Sequence, residues 1–271
     1  MSYGLHLAGY EVVGADIEPQ PRYPFEFHQA DALTFPLEGY DLICASPPCQ
    51  RHSRMSNCRP GLAETYPDLI GPIRERLIES GVPYMIENVE GSPLIKPITL
   101  CGAMFGLKVL RHRLFEASFP IPQPEHPAHN GSRPRTGRPP KPGDVMTVAG
   151  HTGDVNYARA AMGAWWMSDA ELSESIPPAY SIFTGLAAAA EFGYELQPLS
   201  VTLEGLRRAR SNALAAERMR RYRARQKGRK GQAVAMRKSG PQPKMISHYA
   251  AELAKARTEL AALKAAGGDA A

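Results

Sequence analysis

Three short apolar runs, each ending in a polar motif, constrain the fold most: EVVGAD at 11–16, YDLICAS at 40–46 and PYMIENV at 83–89. Runs of this length and composition read as buried strands. Between the second and third lies YPDLIGPIRERLIESG, where Tyr66, Leu69, Ile70, Ile73, Leu77 and Ile78 fall at helical spacing and Gly81 supplies a stop. Pro72 inside this pattern predicts a kink or a late helix start. Strand, helix, strand in this order predicts parallel βαβ units in an open α/β sheet. The opening MSYGLHLAG reads as a helix ahead of the first strand.

The texture changes after Phe119. Residues 120–142 hold eight prolines, a density that neither a helix nor a sheet interior tolerates, so a loop-rich insert is expected, partly basic through Arg133, Arg135, Arg138 and Lys141. VMTVAG at 145–150 reads as a short strand. Regular structure is expected to resume near Ser168, an N-cap with Glu171 three residues on, followed by an Ala-rich helix within IPPAYSIFTGLAAAAEFGYEL. The expected organisation is an α/β domain over 1–118, the insert over 119–165 and a return to the first domain over 166–200. A basic helical tail over 201–240 and an amphipathic helix over 241–271 follow.

Charge separates the tail from the body. Residues 205–240 carry thirteen Lys and Arg against one Glu, whereas residues 1–204 carry fifteen against twenty-three. An acidic body with a basic appendage points to a polyanion partner, against the plainer reading of a solvated helix face. In the last segment Ile246, Tyr249, Leu253, Ala256, Leu260 and Leu263 form a short heptad seam over 246–263, which fits weak self-association or packing back on the body equally well. No apolar run reaches membrane-spanning length and no secretory signal opens the chain, so a cytoplasmic protein with reduced thiols is expected. Cys44, Cys49, Cys58 and Cys101 form no CxxC pair and have no His at zinc spacing, so no metal is expected.

The sharpest chemical signal is ASPPCQRHS, directly after the strand YDLIC. Ligands of open α/β sheets bind beyond the carboxyl ends of the strands. Pro47 and Pro48 stiffen the loop and aim Cys49, as a nucleophile requires; Cys44, inside the strand, reads as a core residue. IENVEGSP places Glu87 and Asn88 at the end of another strand, facing the same crevice. In LRHRLFEAS, alternation puts Arg111 and Arg113 on one strand face and His112 and Leu114 on the other. Two converging arginines suit a phosphate or a base; a solvated strand face is the plain alternative.

PPCQ, then ENV, then RxR, in this order on an α/β pattern, resembles the DNA (cytosine-5)-methyltransferase family, most closely the short enzymes encoded by bacteriophages, over roughly residues 1–192. The resemblance implies a methyltransferase-type, Rossmann-like and mostly parallel sheet, with the insert as a small target-recognition region. It implies S-adenosyl-L-methionine as cofactor, double-stranded DNA as partner and a role in DNA methylation such as restriction-modification. Cys49 would add to C6 of a flipped-out cytosine, Glu87 would hold or protonate N3, and Arg111 and Arg113 would stabilise the base. Gln50, Asn88 and Val89 would support these groups. On the cofactor side Asp16 would meet the ribose, Ile17 the adenine, Asp31 the adenine amino group, and Pro48 would touch the cofactor from the nucleophile loop.

Three positions depart from the family. Val109 stands where a Gln precedes the first Arg, Thr184 and Gly185 stand where a Gly-Asn pair is usual, and the glycine-rich cofactor loop is absent, so a strand and a turn are expected ahead of Met1. A catalytically impaired DNA-binding remnant is the alternative reading. Thymidylate-synthase-type chemistry, which also adds a Cys to pyrimidine C6, and RNA methylation are further ones.

Overall fold

The computed structural model describes residues 1–54, 56, 59–133, 140–141, 143–150, 152–197 and 258. The basic tail, the heptad seam, Cys58, Arg135 and Arg138 lie outside the described residues.

The chain starts with α1 (Ser2–Ala8), closed by Gly9 in the left-handed region at φ 117°. β1 (Val13–Asp16) and β2 (Glu26–Gln29) pair in parallel, with Asp16 opposite Gln29. β3 (Ile43–Ala45) leads through α2 (Ile70–Ser80) to β4 (Tyr84–Asn88), and β3 and β4 are parallel. This is the βαβ unit that the apolar runs predict. Pro72 is tolerated because the helix starts only at Ile70, so its ring lies in the first turn, where no intrahelical N–H is lost; Gly81 closes the helix at φ 67°.

β5 (Ile98–Leu100) and β6 (Arg113–Ala117) complete a four-stranded sheet of order β3-β4-β6-β5, in which β6 runs antiparallel to both neighbours. The expectation of a mostly parallel sheet is therefore corrected. The two sheets together have two parallel and two antiparallel pairings, and no sheet hydrogen bond joins β1–β2 to the larger sheet among the described residues. The physical reason is the connection. A parallel return needs a crossover, usually a helix, and no α-helix lies between β4 and β6.

Helices cover both faces of the larger sheet. On one face Met85 and Phe115 pack with α1 and with α5 (Pro178–Phe192), where the Phe115 and Tyr180 ring centroids lie 6.3 Å apart. On the other, Ile86 packs with Ile73 and Leu77 of α2, and the buried Glu116 receives two hydrogen bonds of 2.7 Å from Arg74. Ile78, on the helical stripe in sequence, is exposed instead. α1 and α5 approach so closely that a Cβ on Gly4 would lie 2.2 Å from the Pro178 carbonyl oxygen.

The proline-rich stretch forms no regular element among its described residues. Regular structure resumes earlier than expected, at α3 (Val155–Met162), because Asp154 caps it by accepting from the Asn156 and Tyr157 N–H groups. α4 (Asp169–Glu174) carries the expected Ser168–Glu171 capping box. The segment at 145–150 contributes only a bridge between Val109 and Met146.

Candidate active site

Parallel register puts Cys44 beside Met85 and carries β3 and β4 to a common carboxyl end. Beyond β3, Pro47 is buried and Pro48 exposed, and Cys49, partly exposed, opens a short 3-10 turn over Gln50–His52. β4 itself ends in the ENV segment, with Glu87 and Asn88 as its last two residues and Val89 just beyond. The buried Asn88 side chain donates from Nδ2 to the Pro47 carbonyl at 3.0 Å, and its Oδ1 accepts from the Val89 N–H at 2.9 Å. One amide thus ties the end of β4 to the Cys49 loop. Ser56 Oγ, from further along the loop, donates to the Gln50 carbonyl. His52 and Arg51 both face Asp68, at 3.2 and 3.7 Å, which anchors the turn on the segment before α2.

Antiparallel pairing aims β6 at the same place. Glu87 lies opposite Phe115, so Arg113 is its diagonal neighbour on the same face. The Arg113 guanidinium sits 3.1 Å from the Glu87 carboxylate, and both side chains are mostly buried. Arg111 is buried, donating to the Ser173 carbonyl at 2.6 Å and to the Val148 carbonyl; its own carbonyl accepts from the Tyr180 hydroxyl at 2.6 Å. Burial pushes the Arg111 guanidinium down to about 10, Arg113 adds to the shift, and Glu87, Tyr180 and Cys49 oppose it. Its Nε is buried with no hydrogen-bond partner among the described residues. A desolvated cation and an unpaired donor beside a carboxylate and a partly exposed thiol form a site poised for a polar planar group or an anion.

The two strand-loop thiols differ. Cys44 packs against the core, and burial pushes its thiol up to about 12, so it stays protonated. The Met1 ammonium is buried close by; burial lowers its pKa, against the pull of Glu87 and Cys44.

Asp16, Ile17 and Asp31 gather at the carboxyl end of the β1–β2 pair. Asp16 ends β1 and accepts from the Glu18 N–H at 2.9 Å and from Gln20 at 3.2 Å. Ile17 is 65% exposed, a large apolar side chain left uncovered. Asp31, two residues beyond β2, accepts from the Leu33 N–H at 2.9 Å and is exposed. Each carboxylate keeps acceptor capacity beyond its local bond.

Sequence reasoning missed Tyr180, Ser173, Val148 and the acceptor role of the Pro47 carbonyl. Three of these act through main-chain carbonyls, which no residue type advertises; Tyr180 acts through a hydroxyl that looks like part of a core helix. A second polar cluster was also missed. Cys101, His112, His126 and His129 bring four ligand-type atoms within 4.8 Å of one another. Burial lowers the His112 pKa, with His129, His126 and Arg113 adding to the shift and Glu90 opposing it. A groove of about 420 Å³ lined by Leu77, Tyr84, Ser118 and Phe192 lies at the opposite, amino-terminal end of β4, away from both clusters.

No family model matches the chain, and no curated protein matches it significantly. Among the described residues, no helix is long and apolar enough to cross a membrane.

Proposed function

We propose that the chain is a methyltransferase acting at C5 of cytosine in double-stranded DNA, built on a Rossmann-like sheet. The observation that carries this reading is the convergence of Cys49, Glu87, Arg111 and Arg113 at one sheet end. The Asn88–Pro47 bond and the Glu87–Arg113 pair lock that end together. Cytosine C5 is a poor nucleophile. Addition of the Cys49 thiolate to C6 makes C5 an enamine carbon that can take up a methyl group. Glu87 binds the N3 edge, so that charge does not build up on the ring, and Arg113 steadies the carboxylate. Arg111, with its unpaired Nε, holds the base and favours the thiolate. Loss of the C5 proton and elimination of Cys49 release the product. Unstacking the base costs a few kcal/mol, offset by these contacts.

The β1–β2 end fits the cofactor. Asp16 offers acceptors to ribose hydroxyls, the exposed Ile17 an apolar face to adenine, Asp31 an acceptor to the adenine amino group, and Pro48 is exposed on the nucleophile loop. S-adenosyl-L-methionine bound there supplies the methyl group. The basic tail suits the DNA backbone.

Trapping on duplex DNA containing 5-fluorocytosine, with S-adenosyl-L-methionine added as methyl donor, tests the reading: methylated C5 keeps its fluorine and has no proton to lose, so the chain should form a covalent adduct that Cys49→Ala does not. Adduct formation by the variant would remove Cys49 from the mechanism. One observation favours the DNA-binding remnant instead: Val109 is fully buried in the core and offers no polar group where the family carries Gln. DNA binding at full affinity without methyl transfer would decide for that reading.

A further inference from the structure

The four-residue cluster beside the RxR segment lies outside the chemistry proposed above. Leu100 of β5 pairs with Arg113 of β6, so Cys101 and His112 continue the same antiparallel register one step beyond it. His126 and His129 come from the proline-rich stretch as H-P-A-H, with Pro127 stiffening the step between them. That stretch is laid along the open edge of β5 by Gln123, whose amide accepts from the Thr99 N–H and donates to the Thr99 carbonyl, both at 2.9 Å. Two ligands thus arise at the end of a sheet and two from a loop clamped to its edge.

The four ligand atoms, all within 4.8 Å of one another, stand close to the spacing of a metal site. Cys101 Sγ lies 3.4 Å from His129 Nε2, and His112 Nε2 lies 3.0 Å from His126 Nε2. Around tetrahedral zinc, with Zn–N near 2.0–2.1 Å and Zn–S near 2.3 Å, neighbouring ligand atoms stand about 3.3–3.6 Å apart. The three imidazoles crowd one another, with ring centroids 4.7–5.2 Å apart. A hydrogen-bonded imidazole cluster alone leaves nitrogen facing nitrogen, with room for one proton between His112 and His126, and sets a buried thiol in the same group. A shared cation satisfies all four atoms at once.

We propose that Cys101, His112, His126 and His129 bind one zinc ion in a closed, four-ligand structural site that staples the proline-rich stretch to the sheet. Four protein ligands leave no open position for a substrate, which makes the role structural. β6 begins only at Arg113, so Arg111 lies ahead of the strand rather than on its face, and His112 stands between the two; the ion therefore also fixes the segment that leads into β6.

The test is metal analysis of the full-length chain after zinc loading and gel filtration, with no dependence on methyl transfer. About one zinc per chain is expected, falling at least about tenfold in His126→Ala/His129→Ala. Cobalt substitution of the unmutated chain should give a tetrahedral spectrum with a thiolate charge-transfer band, lost in Cys101→Ser. Chelation should lower the melting temperature of the unmutated chain and leave the double variant unmoved. Failure of the unmutated chain to hold zinc, a cobalt spectrum without the thiolate band, or full zinc retention in a folded double variant would each overturn the assignment.

Discussion

The two ends of the sheet system that carry candidate residues are built differently. At the β3–β4–β6 end, side chains from separate elements hold one another: Asn88 grips the Pro47 carbonyl, Arg113 pairs with Glu87, and Tyr180 holds the Arg111 carbonyl from a distant helix. At the β1–β2 end, the Asp16 and Asp31 carboxylates bond to groups two to four residues away in sequence, and Ile17 is open to solvent. The first end is pre-organised and desolvated, so its groups act with fixed aim and strong fields. The second is a set of exposed acceptors that a ligand must organise. A substitution at the first end should therefore cost both structure and activity, and one at the second end only binding.

The largest contrast concerns the thiols. Raising Cys44 from 9.0 to about 12 lowers its thiolate fraction about 10³-fold near pH 8. Iodoacetamide at that pH should modify the Cys49 peptide and leave Cys44 intact until the chain unfolds; equal rates in mass mapping would dissolve the distinction. Next comes Glu87→Gln, which leaves Arg113 without its carboxylate and should lower methyl transfer at least about 10²-fold. Single-turnover kinetics measure this, and an unchanged rate would take Glu87 out of the chemistry. Asn88→Ala should destabilise the fold by about 1–3 kcal/mol, because a buried bond from the end of β4 to the Cys49 loop is lost. Denaturant titration reads it, and a change within about 0.3 kcal/mol would show that the two are held otherwise. The smallest effect belongs to the other end: Asp16→Asn should shift stability by no more than about 0.5 kcal/mol. Calorimetry should show it weakening S-adenosyl-L-methionine binding all the same.

Arg111 adds a sign that alkaline titration can check. Its pKa is lowered in the folded state, so its charged form is disfavoured there, and the strain persists at all pH values below about 10. As pH rises above about 10 the folded chain gives up this proton before the unfolded chain does. Arg111's contribution to stability therefore rises in that window.

Much of the candidate site was legible in local patterns. An apolar run ending in PPCQ, another ending in ENV, and Arg at alternate positions each speak through residue type and spacing, and the β3–α2–β4 unit follows from periodicity with Gly81 as its stop. The capping box at Ser168 was equally local. The antiparallel course of β6 was not legible, because strand direction depends on how the chain returns. Nor was the start of α3, where Asp154 caps a sequence with no strong stripe.

By itself, then, the sequence determined which residues are candidates for chemistry and which of the main segments become strands and helices, since those depend on side-chain type and short-range spacing. The strand pattern already placed Glu87 and Asn88 at the crevice of Cys49, but tertiary structure alone decided the contacts made there. Register set Arg113 diagonal to Glu87, the fold brought the Tyr180 hydroxyl to the Arg111 carbonyl, and the clamped edge of β5 carried His126 and His129 to Cys101 and His112. The reason is physical: proximity across a sheet edge is set by pairing and packing between distant segments, and spacing along the chain holds no trace of it.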